Sequence, residues 1–291
     1  MPSGILIINK PQDWTSMDVC AKLRGVFHEK RVGHAGTLDP MATGVLPVFL
    51  GRATRAIQFA ETGEKEYLAG LRLGLTTNTQ DSSGEVLERH PSTADFEQVH
   101  AALLPFHGEI RQVPPMYSAI KIGGKKLYEL ARKGIEVERP ARAVTIYSLN
   151  LLDELSPEGD FQLRVRCSKG TYIRTLCHDI GQALGCGGVM SSLVRTEACG
   201  FSLEQDALSL AEVVNASDPA AFLRPLDRLF QNRPTLTVNA NGEERLRHGA
   251  GLSMKNVPDG TYRVYGPQGD FLLLGSLSSG TLSSIKNFFE V

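Results

Sequence analysis

The run Arg31-Val32-Gly33-His34-Ala35-Gly36-Thr37-Leu38-Asp39-Pro40-Met41-Ala42-Thr43-Gly44 sets one carboxylate, Asp39, on a segment punctuated by glycine and proline. Glycine lets a backbone come close to a ligand, and loops carried on a rigid scaffold are where reactive groups concentrate. A carboxylate placed this way has the chemistry of a nucleophile or a general base. An isolated Asp-Pro pair, by contrast, is an ordinary turn former. His34 lies in the same run without a second histidine, cysteine or carboxylate at metal-ligand spacing, so no metal is expected there. A metal-dependent nuclease built on His34 and Asp39 is the minor alternative.

The remaining polar groups are less telling in isolation. The five cysteines, Cys20, Cys167, Cys177, Cys186 and Cys199, contain no C-x-x-C pair and read as buried, reduced thiols. Cys177 precedes His178, but neighbours in sequence point apart on a helix, so they do not form a nucleophile and base. Read alone, Arg174 is a surface arginine and Tyr67 a core tyrosine in an alternating strand.

Charge is distributed unevenly. The formal net charge is only -1, yet residues 77–110 carry -5 and residues 111–142 carry +5. A second basic patch follows, with Arg164, Arg166, Lys169 and Arg174. Clustered lysine and arginine are what phosphate binding requires, although a basic run is equally compatible with a solvated face.

The Asp39 run resembles the signature of the TruB-type tRNA pseudouridine synthases, in which the aspartate of Gly-Thr-Leu-Asp-Pro is catalytic. Further blocks similar to that family follow in its order. They are Lys65-Glu66-Tyr67, Pro115-Met116-Tyr117-Ser118-Ala119-Ile120-Lys121, Leu127-Tyr128-Glu129-Leu130-Ala131-Arg132, Cys167-Ser168-Lys169-Gly170-Thr171-Tyr172-Ile173-Arg174 and Leu193-Val194-Arg195. The resemblance spans residues 4–230. It departs in the opening block, where Asn9 and Asp13 stand in place of an expected aspartate and glycine.

The resemblance implies an isomerase that converts uridine 55 in the T-arm of tRNA to pseudouridine by base flipping, with no cofactor, no metal and no guide RNA. It implies Asp39 as nucleophile, Arg174 as the cation paired to it, and Tyr67 as the ring that stacks on the target base and assists proton transfer. Leu193 would pack the other side of the pocket, and His34 would fill the space vacated by the extruded base. Lys65, Lys121, Lys125, Lys126, Arg132, Lys133 and Lys169 would meet the RNA, the thumb lysines and arginine on a mobile insertion at about 111–142. A carboxylate in an apolar pocket is driven toward its neutral form unless a cation stands beside it, which is the task assigned to Arg174. A non-catalytic RNA-binding module and a guide-dependent relative are the competing expectations.

The elements that must position these groups are legible as patterns. Gly4–Asn9 reads as a strand, Thr15 to Asp18 has capping-box spacing, and Val19, Leu23, Val26 and Phe27 follow at helical intervals. Strands are expected at Val45–Gly51, Lys65–Leu75, Val144–Leu155 and Phe161–Ser168. The last of these alternates apolar and polar residues. Helices are expected near Ala53–Glu61, at Ala94–Phe106, and at Thr171–Leu184 before Gly185. The patterns give an α+β class with a mixed, largely antiparallel sheet flanked by helices and a small C-terminal β unit; the resemblance implies that residues 1–232 are the catalytic domain and residues 233–291 a PUA-like domain. The short apolar runs and the lack of a basic leader before Lys10 point to no membrane span and no signal peptide. A cytoplasmic monomer without an obligatory protein partner is the expectation.

Overall fold

The computed structural model describes residues 2–155 and 160–289. Met1, residues 156–159 and residues 290–291, which fall within the two expected units, lie outside the described residues. Its elements start with strand β1 (Gly4–Lys10), helix α1 (Ser16–Phe27), β2 (Val32–His34), β3 (Thr43–Leu50) and β4 (Lys65–Leu73). Helix α2 (Phe96–Leu103), β5 (Gly108–Gln112), β6 (Arg142–Leu155) and β7 (Phe161–Cys167) come next. Helix α3 (Ile173–Ala183), β8 (Gly188–Ala198) and β9 (Leu208–Ser209) complete the first sheet and its cover.

The main sheet has the order β9-β1-β3-β8-β4-β7-β6-β5, with β2 paired to β3. Most pairs are antiparallel, and β1 with β9 and β3 with β8 are parallel. The fold is therefore α+β with a mixed, largely antiparallel sheet. β7 shows how the sequence makes it: Phe161, Leu163, Val165 and Cys167 are buried, while Arg164 and Arg166 are exposed. Period-2 side chains send one set into the layer beneath α2 and α3. Burying one such leucine or valine contributes roughly 1.5–3 kcal/mol.

Each end of α1 has its own stop. Thr15 caps the start with a reciprocal bond to Asp18, and His28 ends the helix in the left-handed conformation. Val19, Cys20, Leu23 and Phe27 face the core beneath β1 and β3. Several elements end earlier than their patterns suggest. The strand from Lys65 stops at Leu73 because Gly74 takes φ +87°, and Leu75–Thr77 turns away into a hairpin with Val86–Arg89. Residues 53–61 divide into a 3-10 turn, Gly51–Ala56, and one short helix, Ile57–Ala60. Helix α3 starts at Ile173, with Tyr172 as its cap.

The residues after Pro234 build a separate sheet from β10 (Thr235–Thr237), β11 (Leu252–Ser253), β12 (Gly260–Tyr265), β13 (Phe271–Ser278) and β14 (Thr281–Asn287). Its order is β10-β12-β13-β14-β11, closed over its own core of Leu246, Val264, Leu273 and Leu282. Phe271 and Phe288 also pack as tilted rings against Phe230, joining this sheet to the main body.

Candidate active site

Asp39 sits on the loop between β2 and β3, and that loop is tied down from several sides. The Leu38 amide donates to Ser16 Oγ at 3.0 Å, and the Asp13 amide donates to the Pro40 carbonyl at 2.8 Å. Asp13 takes φ +64°, the conformation glycine favours, so the turn survives the residue change in the opening block. Asn9 Oδ1 accepts from the Gly44 amide at 3.1 Å. Lys10 is fully buried and its Nζ donates to the carbonyls of Pro11, Trp14 and Pro40 at 2.8, 2.6 and 3.1 Å. Three carbonyls saturate the three protons of an ammonium. Burial pulls the Lys10 ammonium down to about 8, against the opposing pull of Asp13 and Asp39.

Arg174, in the first turn of α3, is buried and reaches Asp39 with two nitrogens, Nε at 3.0 Å and Nη2 at 3.3 Å. The same guanidinium donates to the carbonyls of Thr79 at 3.0 Å and Tyr117 at 2.8 Å. Asp81 lies 3.6 Å from its Nη1. The Asp39 side chain keeps 36% of its surface exposed while Arg174 keeps 7%, so the acid is open to an incoming group and its cation is not. Burial pushes the Asp39 carboxyl above its ordinary value, with Asp81 adding to the rise and Arg174 and Lys10 opposing it. The expected cation is in place, and it limits the rise without reversing it.

Tyr67 on β4 and Leu193 on β8 are both nearly buried and belong to the apolar cluster that contains Leu38 and Ala42. Burial lifts the Tyr67 phenol above its usual range. His34 is half-buried on β2, and its Nδ1 is enclosed without a hydrogen-bond partner. Burial, then Arg195, pushes the imidazole below its ordinary value, toward the neutral ring.

The structure therefore gathers Asp39, Arg174, Tyr67 and Leu193. Lys65 borders the Asp39 loop, with its Cε 3.3 Å from where a Cβ at Gly36 would stand, and its Nζ donates to the Gly63 carbonyl at 3.1 Å. It lines a cleft of about 640 Å³ shared with Cys199, Phe230 and Thr261, between the two sheets. Lys121 and Lys125–Lys126 form a two-stranded ribbon after Tyr117, with Lys126 Nζ turned to the Tyr128 hydroxyl at 3.3 Å. Arg132 and Lys133 are exposed beyond it, and Lys169 is exposed on the turn before α3.

Three functional candidates escaped the sequence reading. Asp81 counted only as part of an acidic run, yet it is buried and accepts from Thr79 Oγ1 at 2.7 Å and from Ser83 N and Oγ at 3.0 and 2.6 Å. Lys10 and Arg195 appeared only within motifs, and both are fully buried charges. The residue types of Thr79-Gln80-Asp81-Ser82-Ser83-Gly84 carry a turn signal, but nothing in them points to Arg174. No group of three or more His, Cys, Asp or Glu side chains that could hold a metal occurs among the described residues.

The model of the TruB family pseudouridylate synthase N-terminal domain matches residues 24–173, more than half of the chain. The chain belongs to the TruB family. It is a pseudouridylate synthase of the isomerase class. The model of the tRNA pseudouridylate synthase B C-terminal domain matches residues 174–231. Among TruB-family relatives, the tRNA pseudouridine synthase B of Clostridium kluyveri is 41% identical over 98% of this chain and 99% of its own. That of Alkaliphilus oremlandii is 47% identical over 85% of this chain and 82% of its own. The fold is also that of a chain in a solved Cbf5-Nop10-Gar1 complex, with TM-score 0.74 and 24% identity over 98% of this chain and 85% of that one. No helix among the described residues is long and apolar enough to cross a membrane.

Proposed function

We propose that this TruB-family chain isomerises uridine 55 in the T-arm of tRNA to pseudouridine, using Asp39 and no guide RNA. The observation that carries the reading is the open carboxylate of Asp39 held 3.0 Å from the buried guanidinium of Arg174. Substrate and product have the same composition: the N1–C1' bond breaks, a C5–C1' bond forms, and the C5 proton leaves to solvent as N1 gains one. Such a step needs a positioned nucleophile and an acid–base partner rather than an imported oxidant or co-substrate.

Asp39 acts as the nucleophile and Arg174 limits the cost of its charge. Tyr67 stacks on the target base and takes part in the transfer of the C5 proton, with Leu193 packing the opposite side. The base must leave its stack to reach Asp39, and unstacking costs a few kcal/mol. The neutral ring of His34 suits the space it leaves. Residues 111–142 form a thumb whose Lys121, Lys125, Lys126, Arg132 and Lys133 contact phosphates, with Lys65 and Lys169 at the edges of the RNA path. Residues 1–232 serve as the catalytic unit and 233–291 as a small PUA-like RNA-binding unit, in a monomer that works in the cytoplasm.

The test is direct. Asp39→Asn is expected to bind a T-arm hairpin with wild-type affinity and to release no tritium from a C5-tritiated uridine. Normal release by that variant would overturn the assignment.

A further inference from the structure

Arg195 has the largest fully buried side chain among the described residues. A guanidinium stays charged at any working pH, and enclosing it without a matched carboxylate is costly. Its donors go elsewhere: Nε to the Val45 carbonyl at 2.7 Å and Nη2 to the Gly36 carbonyl at 2.9 Å. Val45 opens the inner part of β3, and Gly36 lies on the Asp39 loop.

The backbone around Arg195 is equally constrained. Arg195 pairs with Gly44 across the parallel β3–β8 contact and stands opposite Tyr67 across the antiparallel β4–β8 contact. Gly44 takes φ +99°, and a Cβ there would collide with the Arg195 backbone. Nη1 lies under Gly36, where a Cβ would stand 3.1 Å from it. With Nε and Nη2 committed, the planar fork has its direction set. Tyr67, its partner on the neighbouring strand, has its phenol pushed up by burial, and the Arg195 charge opposes that rise.

We infer that Arg195 is a positioning residue for the isomerisation, one rigid cation that holds the Asp39 loop through Gly36 and stands at the paired position beside Tyr67 in the same frame. This rests on the proposed role of Tyr67 at the target base. A fixed cation at the paired position of the neighbouring strand favours the ionised form of the Tyr67 hydroxyl. The same charge opposes burial in setting the Tyr67 phenol, and it weighs against protonation of His34, Lys10 and Lys65 around the loop. Tyr67 is the one group of these four whose charged form Arg195 favours.

The experiment uses the full chain labelled with carbon-13 at tyrosine Cζ. Among seven tyrosines the Tyr67 resonance is assigned by its loss in Tyr67→Phe. In Arg195→Met the Tyr67 resonance is expected to titrate at higher pH than in the wild type. On a C5-tritiated hairpin, kcat should fall roughly 10- to 100-fold with KM little changed, up to the lower end of acid–base contributions because the catalytic group itself is retained. Arg195→Lys should recover part of both effects, and it carries the test if Arg195→Met fails to fold. The double variant Tyr67→Phe with Arg195→Met should be no slower than the slower single variant. An unmoved Tyr67 titration in a folded Arg195 variant, or losses that multiply independently, would overturn the inference. Full kcat in Tyr67→Phe alone would instead remove the proposed role of Tyr67, while the titration still decides whether Arg195 controls its hydroxyl.

Discussion

Asp39 and Asp81 share one guanidinium: Arg174 meets Asp39 through Nε and Nη2 at 3.0 and 3.3 Å, and Asp81 lies 3.6 Å from Nη1. The two acids differ in exposure, 36% for the side chain of Asp39 and 6% for that of Asp81. The open one is available to a substrate. The closed one holds the cation in place and, as a like charge, adds to the rise in the Asp39 carboxyl.

Asp81→Asn removes that like charge while keeping an acceptor for Thr79 and Ser83. The acidic limb of the kcat profile should move to lower pH, because Asp39 then ionises more easily. At neutral pH, kcat should fall roughly tenfold as Arg174 loses an anchor, equivalent to about 1.4 kcal/mol in the barrier. A pH series of single-turnover tritium release measures both effects, and an acidic limb displaced upward would contradict the geometry.

Arg174→Met strands the buried carboxylate of Asp81. Breaking a buried pair by removing one partner costs about 3–5 kcal/mol. Urea denaturation of the variant should show a lower midpoint with an unchanged slope, and adding Asp81→Asn should recover part of the loss. If the double variant is no more stable than the single one, the Arg174–Asp81 contact is not what Arg174 supports.

Asp179 on α3 tests a group outside the site. Burial raises its carboxyl to about 6 from 3.8. The folded state then holds the proton more tightly than the unfolded chain, so stability contributed by this group is present below pH 3.8 and lost as pH rises through 6. Asp179→Asn should stabilise the protein at pH 7 by roughly 1–2 kcal/mol and give no gain near pH 3.5, measured by denaturant midpoints.

Lys125→Glu and Lys133→Glu place acids at two exposed positions of the proposed thumb. Each should weaken hairpin binding without changing kcat at saturation. The slope of log affinity against log salt should drop by about one for each phosphate that the variant no longer neutralises. Filter binding over a range of salt reports it.

Much of the scaffold was legible because its signals are local. The alternation in Phe161–Cys167, the Thr15 capping box and the helical spacing of Val19, Leu23 and Phe27 each act through near neighbours, and each appears in the structure where the pattern put it. Boundaries were less legible. Gly74 ends β4 through a backbone conformation that alternation does not encode, and Tyr172 caps α3 without a capping side chain. The cleft that Lys65 lines at the end of β4 was not legible, because spacing from Tyr67 gives only a face of that strand.

The amino-acid order alone determined the class of fold, the glycine-bordered loop that presents Asp39 and the reversal of charge between residues 110 and 111. Those features need only residue types and short spacings. Only the tertiary structure decided that Asp81 is buried against Arg174, that Lys10 spends its protons on three carbonyls, and that Arg195 lies under Gly36 and opposite Tyr67. The sheet seats β8 between β3 and β4, far from its neighbours in the chain. Whether a charge is enclosed, and what meets it there, is set by such distant pairings, because desolvation and Coulomb terms act through space and not along the chain.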